Sequence, residues 1–406
     1  MDVCISREFL GLRKHLIFNS AGELSWVDEV PANCFIWGSG LKSFRSFEHL
    51  VEMVQEDDFF FQNKPLFKSL QACGISPHQA HLSYFYDRDE FQRLLNDFVA
   101  EGVRILSLIE RHNYGTIFLN HHKLLAGMRP ARVNKKAMAK IKPTIKNKGV
   151  LKTLSVDPEG YLSPTVYTTT KTITGRMTIE SGTQILTAPK ELRTALASRW
   201  KDGQIIEVDF TSLEPRVAME LAKKDDQVPE DIYHYFAKDI FEGGLNREQC
   251  KIAVLSAMYG AGSRTLSRML PSNIKASSVL KKIRNELNFE KLVEDLKIEL
   301  QANGFMYNFY GRPVFSNQAR DALIYNHYVQ STAVDAALLG FSWLLEQFNW
   351  DGQKIVPIFL IHDALIIDAT PGIIDQLTDK VSSGLFVENF GYFPTKLKRL
   401  DNIDYI

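Results

Sequence analysis

Two apolar runs that each lead into an aspartate constrain this chain more than any other feature. Gln204-Ile205-Ile206-Glu207-Val208 runs into Asp209, and Ile355 to Ile361 runs into His362-Asp363, with Leu365 to Ile367 following. Both runs have the composition of buried β-strands. Taken singly, a strand-end aspartate is a cap or turn residue. A pair of them ending very apolar strands is different, because a lone carboxylate there is costly to desolvate. Strands set side by side would bring the two carboxylates together. Like charges at short range need a cation, and Mg²⁺ prefers hard oxygen ligands. Two such ions about 3.5–4 Å apart clamp the attacking and leaving oxygens of an in-line phosphoryl displacement.

Between the two aspartates lie Arg247, Lys251, Leu255 and Tyr259, spaced four apart and followed by Gly260. On a helix each step of four drifts by only about 40°, so these residues share one broad face. An exposed helix with its charges in water would show the same spacing. Gly260, however, removes a side chain where something can pack closely. Arg and Lys on that face suit a triphosphate, while Leu255 and Tyr259 suit a flat base or sugar.

At 406 residues the chain is long enough for two or three domains, and 45% hydrophobic with 24% charged residues is the balance of a soluble globular protein. The net charge is zero, with 48 basic and 48 acidic residues, so the total alone points to no nucleic acid. The distribution does: Arg129 to Lys152 holds nine Lys or Arg and no acidic residue. An isolated basic run is a solvated loop, but this one precedes the carboxylate region, where phosphates would be handled. No apolar run reaches membrane-spanning length, and a cytoplasmic protein, of a bacterium or a phage-infected host, is expected. Cys4, Cys34, Cys73 and Cys250 form no CxxC pair and read as free thiols. Helical periodicity is expected over 47–55 and 89–127, across 230–300 and over 321–348. A buried strand is expected at Asp58-Phe59-Phe60-Phe61, a Thr-rich strand over Tyr161 to Thr174, and a hairpin over Lys354 to Asp368 turning at His362-Asp363.

These residues carry a resemblance to family A DNA polymerases. Asp209-Phe210-Thr211-Ser212-Leu213-Glu214-Pro215-Arg216 resembles that family's first carboxylate motif, and His362-Asp363-Ala364 its second. Arg247 to Gly260 resembles the fingers helix, and Thr172-Ile173-Thr174-Gly175-Arg176, with Gln184 following, resembles an upstream signature. Gly311-Arg312 and Asn326, Gln330, Ser331, Thr332, Ala333 resemble later ones, all in family order from about 133 to 368.

The resemblance implies an α+β, right-hand polymerase with an antiparallel palm sheet and helical fingers and thumb. Thumb would be 91–154, palm 155–220 and 300–406, fingers 221–300, and 1–90 a small α/β remnant. It implies two Mg²⁺ held by Asp209, Asp363 and the Phe210 carbonyl, with primer-template DNA and deoxynucleoside triphosphates as substrates. Arg247, Lys251, Leu255, Tyr259 and Tyr233 would hold the nucleotide, and Glu214 would block a 2′-hydroxyl above Tyr259. Arg176, Gln184, Asn326, Gln330 and His362 would meet DNA at the primer end, and Lys135, Lys136 and Lys140 would grip its phosphates. Donors in the minor groove can check pair geometry without choosing a base, because every correct pair shows acceptors there. No membrane is implied, and accessory proteins are left open.

The chain departs from the family pattern at Leu255, where Phe or Tyr is usual, at Tyr233 for His, at Ala364 for Glu, and at Ala322, where an Arg is common, with Arg320 nearby. Phe60 to Leu70, followed by Cys73-Gly74-Ile75, resembles the second motif of a 3′–5′ exonuclease, but Phe67 stands where that motif has Asp. No Asp-x-Glu occurs in 1–50, and Tyr84 to Asp89 does not supply the third motif. A metal-dependent nuclease without carboxylates cannot hold its ions, so an inactive remnant is expected. A single-subunit RNA polymerase and a silent DNA-binding accessory subunit are the alternatives. Glu214 and Thr174-Gly175-Arg176 argue against the first, and retention of Asp209, Asp363, Arg247 and Lys251 against the second.

Overall fold

The computed structural model describes the chain apart from residues 39–42, 55–63, 76–80, 143, 145–147, 223–227, 317–319, 351–353 and 401–406. Two compact units divide it. The first comprises Met1–Ala126, Thr168–Lys171 and Tyr310–Pro313, and the second Gly127–Tyr167, Thr172–Phe309 and Val314–Ile406. Among the described residues no helix is long and apolar enough to cross a membrane, and the four cysteines are free.

In the first unit a four-stranded sheet runs in the order Leu24–Val27, His15–Asn19, Asp2–Ile5, Cys34–Trp37. The last pair is parallel and the others antiparallel. The helix Arg88–Leu108, capped by Asp87 accepting from the Asp89 and Glu90 amides, lays Leu95, Phe98, Val99, Ile105 and Leu106 inward. A Cβ on Gly102 would stand 2.4 Å from the Phe18 ring, so the absence of a side chain there lets that ring pack directly on the helix backbone. Phe98 packs on Trp37 and Phe118 on Phe35, with ring centroids 5.4 and 6.2 Å apart. These contacts carry 91–126 with the N-terminal sheet. A domain boundary near 90 falls inside this unit, and a thumb of 91–154 would straddle the division between units. Buried Arg312 explains the two short segments, donating to the Tyr114 hydroxyl at 3.1 Å and to the Thr169 carbonyl at 2.6 Å. The strand expected at Asp58-Phe59-Phe60-Phe61 lies outside the described residues, as do Asn63 and the side chain of Phe67, although Lys64–Ala72 is helical.

The second unit is built on an antiparallel sheet ordered Ile355–Ile361, Ala364–Ala369, Gln204–Phe210, Thr395–Arg399. The helix Asp321–Glu346 packs across it, and a Cβ on its Gly340 would meet the Phe210 ring at 2.7 Å. The helices Arg247–Tyr259, Ala276–Glu286 and Phe289–Asn303 fill the stretch expected to be helical across 230–300, and Leu213–Ala222 is a further helix ahead of it. The Thr-rich stretch differs from expectation. Only Val166–Thr168 is strand, paired with Thr178–Ser181. Beyond it Thr hydroxyls satisfy local backbone, Thr172 Oγ1 donating to the Arg176 carbonyl at 2.9 Å, and this competes with a ladder. Gly175 closes that turn in the left-handed region at φ 75°.

Candidate active site

The register of the sheet sets the carboxylates. Asp209 pairs with Ala364, and the Phe210 amide donates to the Asp363 carbonyl at 3.2 Å, so both aspartates stand at one end of adjacent strands. His362 makes the tight turn possible with a left-handed φ of 57°. Burial, then the charges of Asp363 and Glu207, push the Asp209 carboxyl up to about 6, against the pull of Lys396 and Arg193. Burial also raises Asp363, against its own backbone hydrogen bond and the neighbouring His362 and Arg176. Asp209 and Asp363 thus stand at neighbouring strand ends, close enough for the Asp363 charge to act on Asp209. Among the described residues no three His, Cys, Asp or Glu side chains form a group able to hold an ion. Two carboxylates nevertheless fit Mg²⁺, which keeps waters and takes one or two carboxylates plus substrate phosphates. The repulsion that Asp209 feels from Asp363 is what a cation between them would relieve.

A cavity of about 320 Å³ opens beside the pair. Its lining includes Asp363, His362, Arg176, Glu214, Ser212, Tyr233, Leu255, Tyr259 and Gln330. Arg176 reaches His362 Nδ1 at 3.1 Å. Burial and Arg176 hold that imidazole below its ordinary pKa, which suits a ring nitrogen that accepts. Glu214, in the first turn of Leu213–Ala222, accepts from the Tyr259 hydroxyl at one oxygen and from Gln330 Nε2 at 3.3 Å at the other. Thr174 Oγ1 donates to Gln330 Oε1 at 2.8 Å. Burial, then Glu214, raises the Tyr259 phenol.

The Arg247–Tyr259 helix starts at a capping box of Asn246 and Gln249 and ends at Gly260, φ 75°, whose added Cβ would lie 2.4 Å from that of Ala322. Small side chains at both positions allow this approach, and it gives the Ala322 departure a physical setting. The helix contributes Leu255 and Tyr259 to the cavity, whereas Arg247 and Lys251 stand outside its lining. Arg247 Nε pairs with Asp231 at 2.7 Å and its Nη1 with Glu248 at 3.1 Å, and its guanidinium lies 5.4 Å from the Tyr233 ring centre. Asp231 raises the Arg247 pKa further. Tyr233, raised by burial, bonds the Ser212 side chain. Lys251 is exposed.

Other expected residues stand apart from the cavity. Asn326, one turn before Gln330, is buried, and its Nδ2 is unpartnered among the described residues. Gln184 is half-buried, its carbonyl receiving the Thr187 amide at 3.3 Å. Lys135, Lys136 and Lys140 are exposed on the helix Lys135–Lys140, Lys135 donating to the Pro158 carbonyl at 2.9 Å. Sequence reasoning missed Lys396 and Arg193. Lys396 lies directly opposite Asp209 in register, and Arg193 pairs with Glu207 at 2.8 Å. The alternation Lys396, Leu397, Lys398 was the only available signal.

Residues 129–392 match the sequence profile described as DNA polymerase family A. Among solved structures the fold matches the POL domain of Pol1 from M. smegmatis, solved in complex with DNA primer-template and dNTP. The TM-score is 0.59 at 10% identity, over 95% of this chain and 92% of that one. No curated protein matches the sequence.

Proposed function

Because the chain belongs to DNA polymerase family A, we propose that it extends a primer 3′-hydroxyl with deoxynucleotides, directed by a template strand, through two-metal phosphoryl transfer. One observation carries this reading: the sheet register sets Asp209 beside the Asp363 turn, and Asp363 lines a cavity together with Glu214, Tyr259, Gln330 and Arg176. The palm is then the sheet with its long helix, and the fingers the helices of 221–300.

Asp209, Asp363 and the Phe210 carbonyl would hold the Mg²⁺ ions, which when bound supply charge neutralisation at the phosphates and a more acidic attacking hydroxyl. The chain's own groups do the positioning. Leu255 and Tyr259 support the base and sugar of the incoming nucleotide. Arg247, kept in orientation by Asp231 and the Tyr233 ring, and the exposed Lys251 ammonium meet the triphosphate. Tyr233 offers one hydroxyl where a histidine is usual and cannot become cationic. Glu214, fixed from both sides, occupies the space of a 2′-hydroxyl. Arg176, His362, Gln330 and the Asn326 Nδ2, unpartnered among the described residues, face the primer terminus, with Gln184 upstream of them. Lys135, Lys136 and Lys140 hold duplex phosphates without reading sequence. The reading places the protein in the cytoplasm of a bacterium or a phage-infected host.

The deciding experiment is primer extension with labelled dNTPs, with and without Mg²⁺, comparing wild type with Asp363→Ala. Extension that needs Mg²⁺ and is lost in the variant is expected. A wild type that binds primer-template but adds nothing would make the chain an accessory subunit instead. We also propose that 3′–5′ proofreading is absent, since Phe67 replaces a ligand carboxylate. Digestion of mismatched 3′ ends without dNTPs, persisting in Asp363→Ala, would overturn that part.

A further inference from the structure

We infer that Thr174 is a positioning residue for sugar discrimination: its hydroxyl fixes the amide of Gln330, and that amide holds the Glu214 carboxylate where it meets the incoming sugar. The inference rests on the reading of Glu214 as the gate. Its geometry is a continuous chain. Thr174 Oγ1 donates to Gln330 Oε1 at 2.8 Å, Gln330 Nε2 donates to one Glu214 oxygen at 3.3 Å, and the Tyr259 hydroxyl donates to the other.

The direction of this chain is set by chemistry. A carboxylate accepts only, so the amide must turn its NH₂ toward Glu214 and its carbonyl toward Thr174, and the Thr174 hydroxyl must donate. An amide has two nearly isosteric ends, and only its partners decide which way it points. Without the hydroxyl, the Gln330 carbonyl loses its donor, the amide is anchored at one end only, and its hold on the Glu214 carboxylate loosens. Thr174 is suited to the task because it is itself immobilised. It is buried, inside the turn closed by Gly175 N donating to the Thr172 carbonyl at 3.1 Å and by Thr172 Oγ1 on the Arg176 carbonyl. Gln330 projects from the interior of the 26-residue helix Asp321–Glu346, so both ends of the bond stand on rigid backbone. Thr174 does not line the cavity, so a change there reaches the sugar only through Gln330.

The test is the ratio of ribonucleotide to deoxynucleotide kcat/KM on one primed template, with melting temperatures as the check on folding. Glu214→Ala should raise the ratio. Thr174→Val, nearly isosteric but without the hydroxyl, should raise it about fivefold, the worth of one hydrogen bond, and Thr174→Ser should restore the wild-type ratio. Thr174→Ala should behave as Thr174→Val, which guards against a fold defect peculiar to valine. In the Glu214→Ala background, Thr174→Val should add nothing, because the two act through one contact. An unchanged ratio in Thr174→Val and Thr174→Ala, a serine that fails to restore it, or an equal rise in the Glu214→Ala background would each overturn the assignment of Thr174 while leaving the gate in place. An unchanged ratio in Glu214→Ala would remove the gate itself, and this inference with it.

Discussion

The sheet of the second unit carries aspartates at both ends, Asp368 buried at one and Asp209 and Asp363 half-buried at the other, and their surroundings are opposite. At one end Asp368, almost wholly buried, receives Ser198 Oγ at 2.6 Å, the Arg199 amide at 3.0 Å and Arg199 Nε at 2.9 Å. Burial still raises its pKa, but its oxygens are occupied by protein. At the other end burial and like charge raise Asp209, burial raises Asp363, and no side-chain hydrogen bond contributes to either shift. One carboxylate is a finished structural joint. The other two are left with oxygens for something else. Burial alone does not distinguish a functional carboxylate from a structural one, and the partners do.

The sharpest way to break this comparison is to delete one carboxylate at each end. Asp363→Ala or Asp209→Ala should lower primer extension by about a thousandfold or more, equivalent to ~4 kcal/mol of transition-state stabilisation, in a protein that still folds. Near-wild-type extension by either variant would put the chemistry elsewhere. Arg199→Ala should do the reverse. It leaves Asp368 buried without its guanidinium and should cost about 3 kcal/mol of stability, read from denaturant unfolding, while folded enzyme keeps its turnover. A loss of turnover without a loss of stability would mean that the two ends are not separate in function.

A smaller effect is expected one turn away from the pair. Glu214→Ala should relax sugar selection, raising ribonucleotide use about tenfold relative to deoxynucleotide, because a gate acts by excluding the wrong substrate. Its stability should barely change, since Glu214 is half-buried and its bonds to Tyr259 and Gln330 are at the open cavity. Equal loss of both nucleotides would make Glu214 a general support of the site.

Much of the site was legible in the sequence, for physical reasons. Asp209 and Asp363 stood out because desolvating them at the ends of apolar strands has no cheap explanation. Leu255 and Tyr259 stood out because helical spacing fixes which side chains share a face. Lys396 was not legible: Thr395–Arg399 carries a single large apolar residue, Leu397, and only the strand register sets Lys396 beside Asp209. Arg247 was legible as a cation but not as the partner of Asp231, which depends on how two helices meet. The extent of the first unit was hidden for the same reason. The contacts that carry 91–126 with the sheet, such as Gly102 against Phe18, join residues far apart in sequence. Where hydroxyls could bond locally, as in Thr172 to Arg176, strand composition misled.

The smallest expected effect tests whether the Asp209 end carries an electrostatic cost in the absence of metal. The folded protein holds the Asp209 proton more tightly, at about 6, than the unfolded chain, taken at the ordinary 3.8. Its contribution to stability is therefore complete below about 3.8 and is lost as pH rises through about 6. Asp209→Asn is neutral throughout and escapes that loss. Without divalent ions the variant should melt above wild type at about pH 7, by only a degree or two because the group is partly solvent-screened. The gap should close as pH falls toward about 4. Adding Mg²⁺ at about pH 7 should raise the wild-type melting temperature and leave that of the variant nearly unchanged, because a ligand bound by the native state alone stabilises it. A gap that widens toward acid, or an equal response of both proteins to Mg²⁺, would show that Asp209 is as well satisfied as Asp368.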